Sequence, residues 1–238
     1  TDEVIVVHTD FERSYEDAKV EQLIQAIFTT SVKRGGSYEL SAFQSVITDE
    51  RYTQLVQQAQ AYILEGKVEQ IVLSKRLVAQ MSGDTFSLYR KLRKLTPAPY
   101  MYYAQFSDHV MIGVSPESVV KIKGSHVTIT PVTGARPRGL TPREDLSVEL
   151  SLLQNAKEVH VHKLLVDQTI QDLEMICIEN SIQIVEYMKP VQFKHSIRLT
   201  TEFEAMLYPF LHPIDALKLL FPPASSSGVP KREASEII

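Results

Sequence analysis

The sequence has no tryptophan and a single cysteine, Cys177. One thiol excludes an intrachain disulfide framework and any multi-cysteine zinc site, and it fits a reducing compartment. No apolar run approaches the roughly 18–20 residues that cross a bilayer. The opening stretch TDEVIVVHTDFER also lacks a basic segment followed by an apolar core. No membrane partner is expected, and the expected location is the cytoplasm. Excess positive charge is missing too: 25 Lys and Arg stand against 29 Asp and Glu, a formal net charge of −4. Nucleic-acid surfaces draw their affinity from clustered cations, so no nucleic-acid partner is expected. Nine glycines and twelve prolines form no repeat and no low-complexity tract. What remains is a chain of 238 residues, 44% hydrophobic and 23% charged. That is the composition of a globular protein, long enough for one large domain or two smaller ones.

Helical spacing of Ala18, Leu23 and Ile27, with Ser14 and Asp17 as a capping pattern, predicts a helix from about Ser14 to Val32, ended by Gly35-Gly36. A second starts near Asp49, carries Tyr52, Leu55, Ala59, Tyr62 and Ile63 on one side, and stops at Gly66. VEQIVLSKRLVAQ, between Gly66 and Gly83, reads as one long strand. Phe86, Leu88, Leu92 and Leu95 predict a third helix, closed by Pro97 and Pro99. YMYYAQF, HVMIGV, SVVKIKG and HVTITPV then read as an antiparallel meander. Charged helices follow from about Arg143 to Met175, with short strands near Ile182–Val185 and Ile197–Phe203. Strands in runs between helices predict the α+β class, with antiparallel sheets flanked by helices. No internal linker appears, so one domain is expected over residues 46–238, preceded by residues 1–45 as an approach segment.

Four places have residues suited to chemistry. Pro131-Val-Thr-Gly-Ala-Arg-Pro-Arg-Gly139 combines glycines and two arginines, equipment for holding a carboxylate or phosphate, although a plain solvent loop has the same composition. Glu117, in GVSPE after an apolar strand, falls at a strand end, where a sheet can present an acid into a cleft. Glu158 and His162 stand at i and i+4 on a helix, the start of a metal site or, more simply, a surface ion pair. The PPASSSGVPKREASEII end joins a Ser-rich turn to a helix start, where an anion can sit. Phosphate-binding GxxxxGK[ST], GxGxxG, GxSxG and HExxH are absent.

EGKVEQIVLSKR, LTPAPYMYYAQF, MIGVSPESVVKI, TPVTGARPRG, REDLSVELSLLQNAKEVHVHKLLVD and FPPASSSGVPK, in this order and spacing, resemble the chorismate-utilising enzymes. The nearest branch is the anthranilate synthase large subunit, component I. The resemblance runs from about Tyr52 to Ile238 and implies an antiparallel β-sandwich flanked by helices. It implies an ammonia-dependent conversion of chorismate to anthranilate plus pyruvate, on the way to tryptophan. Relatives that add water resemble one another in a lysine base where this chain has Gln70. Aminodeoxychorismate synthases have a lysine nucleophile at the position of Thr133. The resemblance makes Glu117 the acid that protonates the departing hydroxyl, and Thr133, Gly134 and Ala135 a substrate-binding segment. It further implies Mg2+ held at Glu158, and a glutamine amidotransferase subunit as the ammonia source. The alternatives are an aminodeoxychorismate synthase-like enzyme or a catalytically degenerate relative serving as a binding or scaffold module.

Several positions depart from the pattern. Val161 replaces the second glutamate of KExAEH, a magnesium ligand, and Ile170 replaces an arginine of LVDLxRND. Arg198 stands where the pattern has its catalytic histidine, while His195 matches an earlier histidine. Ala135 replaces a threonine and Ala224 a glycine. The chain begins without Met and ends at SEII, before the segments the resemblance predicts next. The expectation is a piece of something longer, without turnover of chorismate on its own.

Overall fold

The computed structural model describes Ile5, residues 17–29 and residues 35–238. Helix α1, Asp17–Thr29, falls inside the first predicted helix; Ser14 and the predicted end at residues 30–34 lie outside the described residues. Two short strands follow, β1 (Tyr38–Leu40) and β2 (Gln44–Ser45). Helix α2, Asp49–Leu64, starts where the Thr48 side chain accepts from the Arg51 N–H and acidic residues occupy the first turn.

The single long strand expected after Gly66 is instead three short ones: β3 (Gln70–Ile71), β4 (Leu77–Val78) and β5 (Met81–Gly83). Each pairs elsewhere, β4 with β2 and β5 with β1, while β3 pairs with a strand near the C-terminus. A β-prone run is divided when successive pieces find different partners, because the backbone must turn between ladders. Residues 38–45 are thereby tied to residues 77–83. Asp84 then caps α3, Thr85–Leu95, accepting from the Phe86 and Ser87 N–H groups.

β6 (Tyr100–Gln105) and β7 (Val110–Ser115) form a hairpin by themselves. β8 (Lys121–Lys123) and β9 (His126–Ile129) form the next. The expected meander stops between β7 and β8, which do not pair. β10, Val132–Pro137, makes a strand of the segment read as a loop, with a register shift between Thr133 and Arg136. Helices α4 (Pro142–Gln154) and α5 (Ala156–Ile176) are separated by Asn155, whose side chain caps α5 through the Glu158 N–H. β11 (Gln183–Gln192) and β12 (Ser196–Met206) are longer than their apolar runs predict. β12 has β11 along one edge; on the other edge β10 pairs with its first half and β9 with its second, all antiparallel. β9 and β10, neighbours in sequence, thus lie end to end along one edge of β12, and this five-stranded sheet is the centre of the α+β fold.

α5 covers that sheet. Val166, Leu173 and Ile176 recur at helical spacing and pack with Val127, Phe203 and Ala205 in the main core. The chain closes with α6 (Pro213–Leu220), β13 (Gly228–Val229), which pairs with β3, and α7 (Lys231–Ile237). Leu164 and Leu165 of α5 meet Ala224 and Val229 in a second cluster. No helix among the described residues is long and apolar enough to cross a membrane.

Candidate active site

A cleft of ≈ 200 Å³ opens where the β9–β10 connection, α5 and the Ser-rich segment before β13 converge, with Glu117, Thr130, Thr169, Asp172 and Ser225 in its wall. Glu117 reaches it because β7 ends at Ser115, whose hydroxyl accepts from the Glu117 N–H at 3.2 Å and donates to the Glu117 carbonyl at 2.8 Å. This local turn fixes the backbone of the acid. The Glu117 carboxylate accepts from Arg198 Nη1 at 2.5 Å.

Asp172 forms the inner charge of the cleft. Lys231 Nζ lies 2.7 Å from its Oδ1, with both side chains largely buried, and Gln168 Nε2 donates to the same oxygen at 3.2 Å. Burial raises the Asp172 carboxyl above its ordinary value, and the Lys231 ammonium opposes that rise. Lys231 begins α7, so the helix start anticipated as an anion seat has its cation matched to Asp172.

β10 begins at Val132, a cleft residue, and carries the predicted substrate segment. Thr133 is buried; its hydroxyl is hydrogen-bonded to His162 Nδ1 at 2.7 Å. The other ring nitrogen of His162 is 2.7 Å from Thr201 Oγ1 on β12, and that oxygen accepts from the Met188 N–H on β11. His162 is fully buried, and burial lowers its pKa to about 4. The surface ion pair anticipated for Glu158 and His162 is therefore replaced by a neutral imidazole joining α5 to β10 and β12. His162 occupies the helix face of Leu165, Val166 and Thr169, a spacing from which its burial can be read.

Gly134 and exposed Ala135 fall in the register shift of β10, outside the ladder. Gly134 has φ +60°, and a Cβ there would lie 3.2 Å from Glu158 Oε2. Glu158 is consequently beside the substrate segment, with Arg136 Nη2 at 3.4 Å from its Oε1. Arg138 grips buried Asp145 through Nε and Nη2 and donates to the Phe193 carbonyl. This guanidinium holds the Asp145 carboxyl below the usual carboxylate range. Both arginines of the supposed loop thus have carboxylate partners, because the segment is a sheet strand packed on α4 and α5. Gln70, on β3 opposite Val229, has a buried Oε1 with no protein donor.

The described residues do not by themselves compose a magnesium site. Glu158 supplies one carboxylate facing an arginine, the adjacent-turn position is Val161, and no group of three or more His, Cys, Asp or Glu suited to a metal occurs among the described residues.

The family model described as chorismate binding enzyme matches residues 2–238. The chain is 31% identical over 243 residues to anthranilate synthase component 1 of Pseudomonas aeruginosa, covering 99% of this chain and 49% of that protein. It is 35% identical over 196 residues to the protein of the same name from Thermus thermophilus, covering 82% and 42%. The crystal structure of anthranilate synthase component I from Streptococcus pneumoniae superposes with a TM-score of 0.83 at 31% identity, covering 93% of this chain and 49% of that one. The chain spans about half the length of the curated relatives it matches.

Proposed function

The chain belongs to the chorismate-binding enzyme family, and from that membership we propose that it is part of an anthranilate synthase component I-type lyase. Ammonia adds to chorismate at the ring carbon beside the one bearing the carboxylate, the ring hydroxyl leaves as water, and pyruvate is eliminated to give anthranilate. The product lies on the way to tryptophan.

Gln70 carries the proposal. A buried acceptor without a donor calls for one, and the three N–H bonds of ammonia are suited to the Gln70 Oε1. An amide cannot take a proton from water, but ammonia is a nucleophile without a base. Thr133 supports the same branch, since its hydroxyl is held by His162 and no amine stands there to attack the ring. Glu117, fixed at the cleft by Ser115, protonates the departing hydroxyl from its carboxylic-acid form, and the proton is made good by the one the added nitrogen loses. Hydroxide leaves poorly, so such acid catalysis contributes about 10²–10⁴ in rate. Arg198 holds this carboxylate but passes it no proton, because a guanidinium stays protonated in proteins.

Thr133, Gly134 and Ala135 line the substrate segment in this reading. For magnesium, the described residues offer the carboxylate of Glu158, which faces Arg136. A glutamine amidotransferase subunit in the cytoplasm supplies the ammonia. Turnover belongs to a protein of the relatives' full length, and this chain alone binds chorismate without completing the reaction. Isothermal titration of this chain with chorismate, and product chromatography of a protein of the relatives' full length with ammonium present, test the reading. Saturable one-to-one binding is expected; no binding overturns the substrate, and formation of isochorismate or aminodeoxychorismate overturns the branch.

A further inference from the structure

Ile197, Leu199, Thr201 and Phe203 of β12 are buried in the core, so Arg198, alternating with them, stands on the opposite face of the strand. Three contacts hold its side chain there. Nη1 donates to Glu117 Oε1 at 2.5 Å, Nε donates to Ser196 Oγ at 3.2 Å, and the guanidinium lies 5.5 Å from the centre of the Phe193 ring. Such contacts remove the rotamer freedom that an arginine otherwise loses on binding a ligand.

A guanidinium has five N–H donors. Ser196 and Glu117 take one each, leaving both Nη2 hydrogens and one Nη1 hydrogen without an acceptor among the described residues. The Arg198 and Glu117 side chains are 31% and 32% exposed, so the free edge is open while the pair borders the cleft through Glu117. Arg136, beside Gly134, has a 3.4 Å contact to Glu158 and a buried Nε without a partner, and two further cations near the site are committed to carboxylates. Arg138 is forked onto Asp145, and Lys231 is buried against Asp172.

We propose that Arg198 is the seat for a carboxylate of the substrate, its free Nη edge taking the anion while Nη1 keeps Glu117 alongside. The planar fork matches a carboxylate in geometry and charge, which neither an ammonium nor a single imidazole N–H does. The inference rests on the chorismate reading, and chorismate is a dicarboxylate. It makes Arg198 a substrate-binding residue of this chain, at a position where the resemblance places a histidine.

The test compares chorismate with its dimethyl ester by titration calorimetry on wild type, Arg198→Gln and Arg198→Lys. Arg198→Gln is expected to weaken chorismate binding about 10–100-fold, the worth of a charge-assisted hydrogen bond, while leaving the ester within about twofold by the same reasoning. Arg198→Lys should recover only part of the loss, because it restores charge without the fork. In the wild-type protein, the arginine side-chain ¹⁵N–H signals of Arg198 should shift on chorismate addition, a readout independent of how the variants fold. Unchanged chorismate affinity in Arg198→Gln, equal losses for acid and ester, or unmoved Arg198 signals at saturation would each overturn the proposal and leave chorismate binding standing. A wild-type protein that does not bind chorismate removes both readings together.

Discussion

Acid should destabilise this protein through His162 before it reaches the ordinary carboxylates. The imidazole is fully buried with a threonine hydroxyl on each nitrogen, and its pKa is lowered from 6.5 to about 4. Between those values the unfolded chain binds a proton at this residue and the folded one does not. Stability therefore rises with pH across that window and is lost as pH falls through it. Each pH unit is worth about 1.4 kcal/mol; the loss from this group is about 2 kcal/mol by pH 5 and about 3 kcal/mol by pH 4. Carboxylates whose pKa is lowered, among them Asp145 held by Arg138 and Asp84 capping α3, add losses at lower pH. His162→Gln separates the two, since it keeps a polar side chain at the site but has no charge to gain. Urea unfolding followed by circular dichroism at intervals from pH 8 to pH 5 should show the stability gap between wild type and variant shrinking as pH falls. A constant gap over that range, or a His162 ring signal titrating near 6.5 in the folded protein, would refute the reasoning.

Gly134→Ala should lower the urea midpoint by an amount equivalent to about 1–2 kcal/mol, because an L residue is strained at φ +60° and its Cβ meets Glu158 and Leu152 at 3.2 Å; an unchanged midpoint would show that β10 relaxes freely. Magnesium titrated calorimetrically into this chain should give weak binding or none, as Glu158 offers one carboxylate to a cation that needs several oxygens. Tight one-to-one binding would show that other groups compensate for Val161. In a full-length active protein, Gln70→Lys should allow some isochorismate to form without an ammonia source, detected by product chromatography. A folded variant that yields none would leave the base argument unsupported.

The helices were legible because their signals are local. The apolar spacing of α2 and α3 lies within a few turns of one chain segment, and Gly66 and Pro97 stand directly after their ends. The family motifs were legible for the same reason, each being a short contiguous stretch, and they brought Glu117, Gln70, Glu158 and the Thr133–Ala135 segment to attention. Strand partners were not. Val, Ile and Thr declare a strand without naming its neighbour, so the run after Gly66 gave no sign that β3 would pair with Gly228 and Val229. Nor did anything local place β9 and β10 end to end on one edge of β12. Polar contacts depend on that pairing. Arg198 meets Glu117 across 81 residues, and His162 meets Thr201 across 39. A charged or polar side chain is buried or exposed according to the partners that satisfy it, and those partners arrive only when separate elements pack. Composition and local periodicity determined the class and the helices, and the family motifs brought out the candidate residues; the tertiary structure decided which of those residues share a cleft, because that depends on ladders formed between distant parts of the chain.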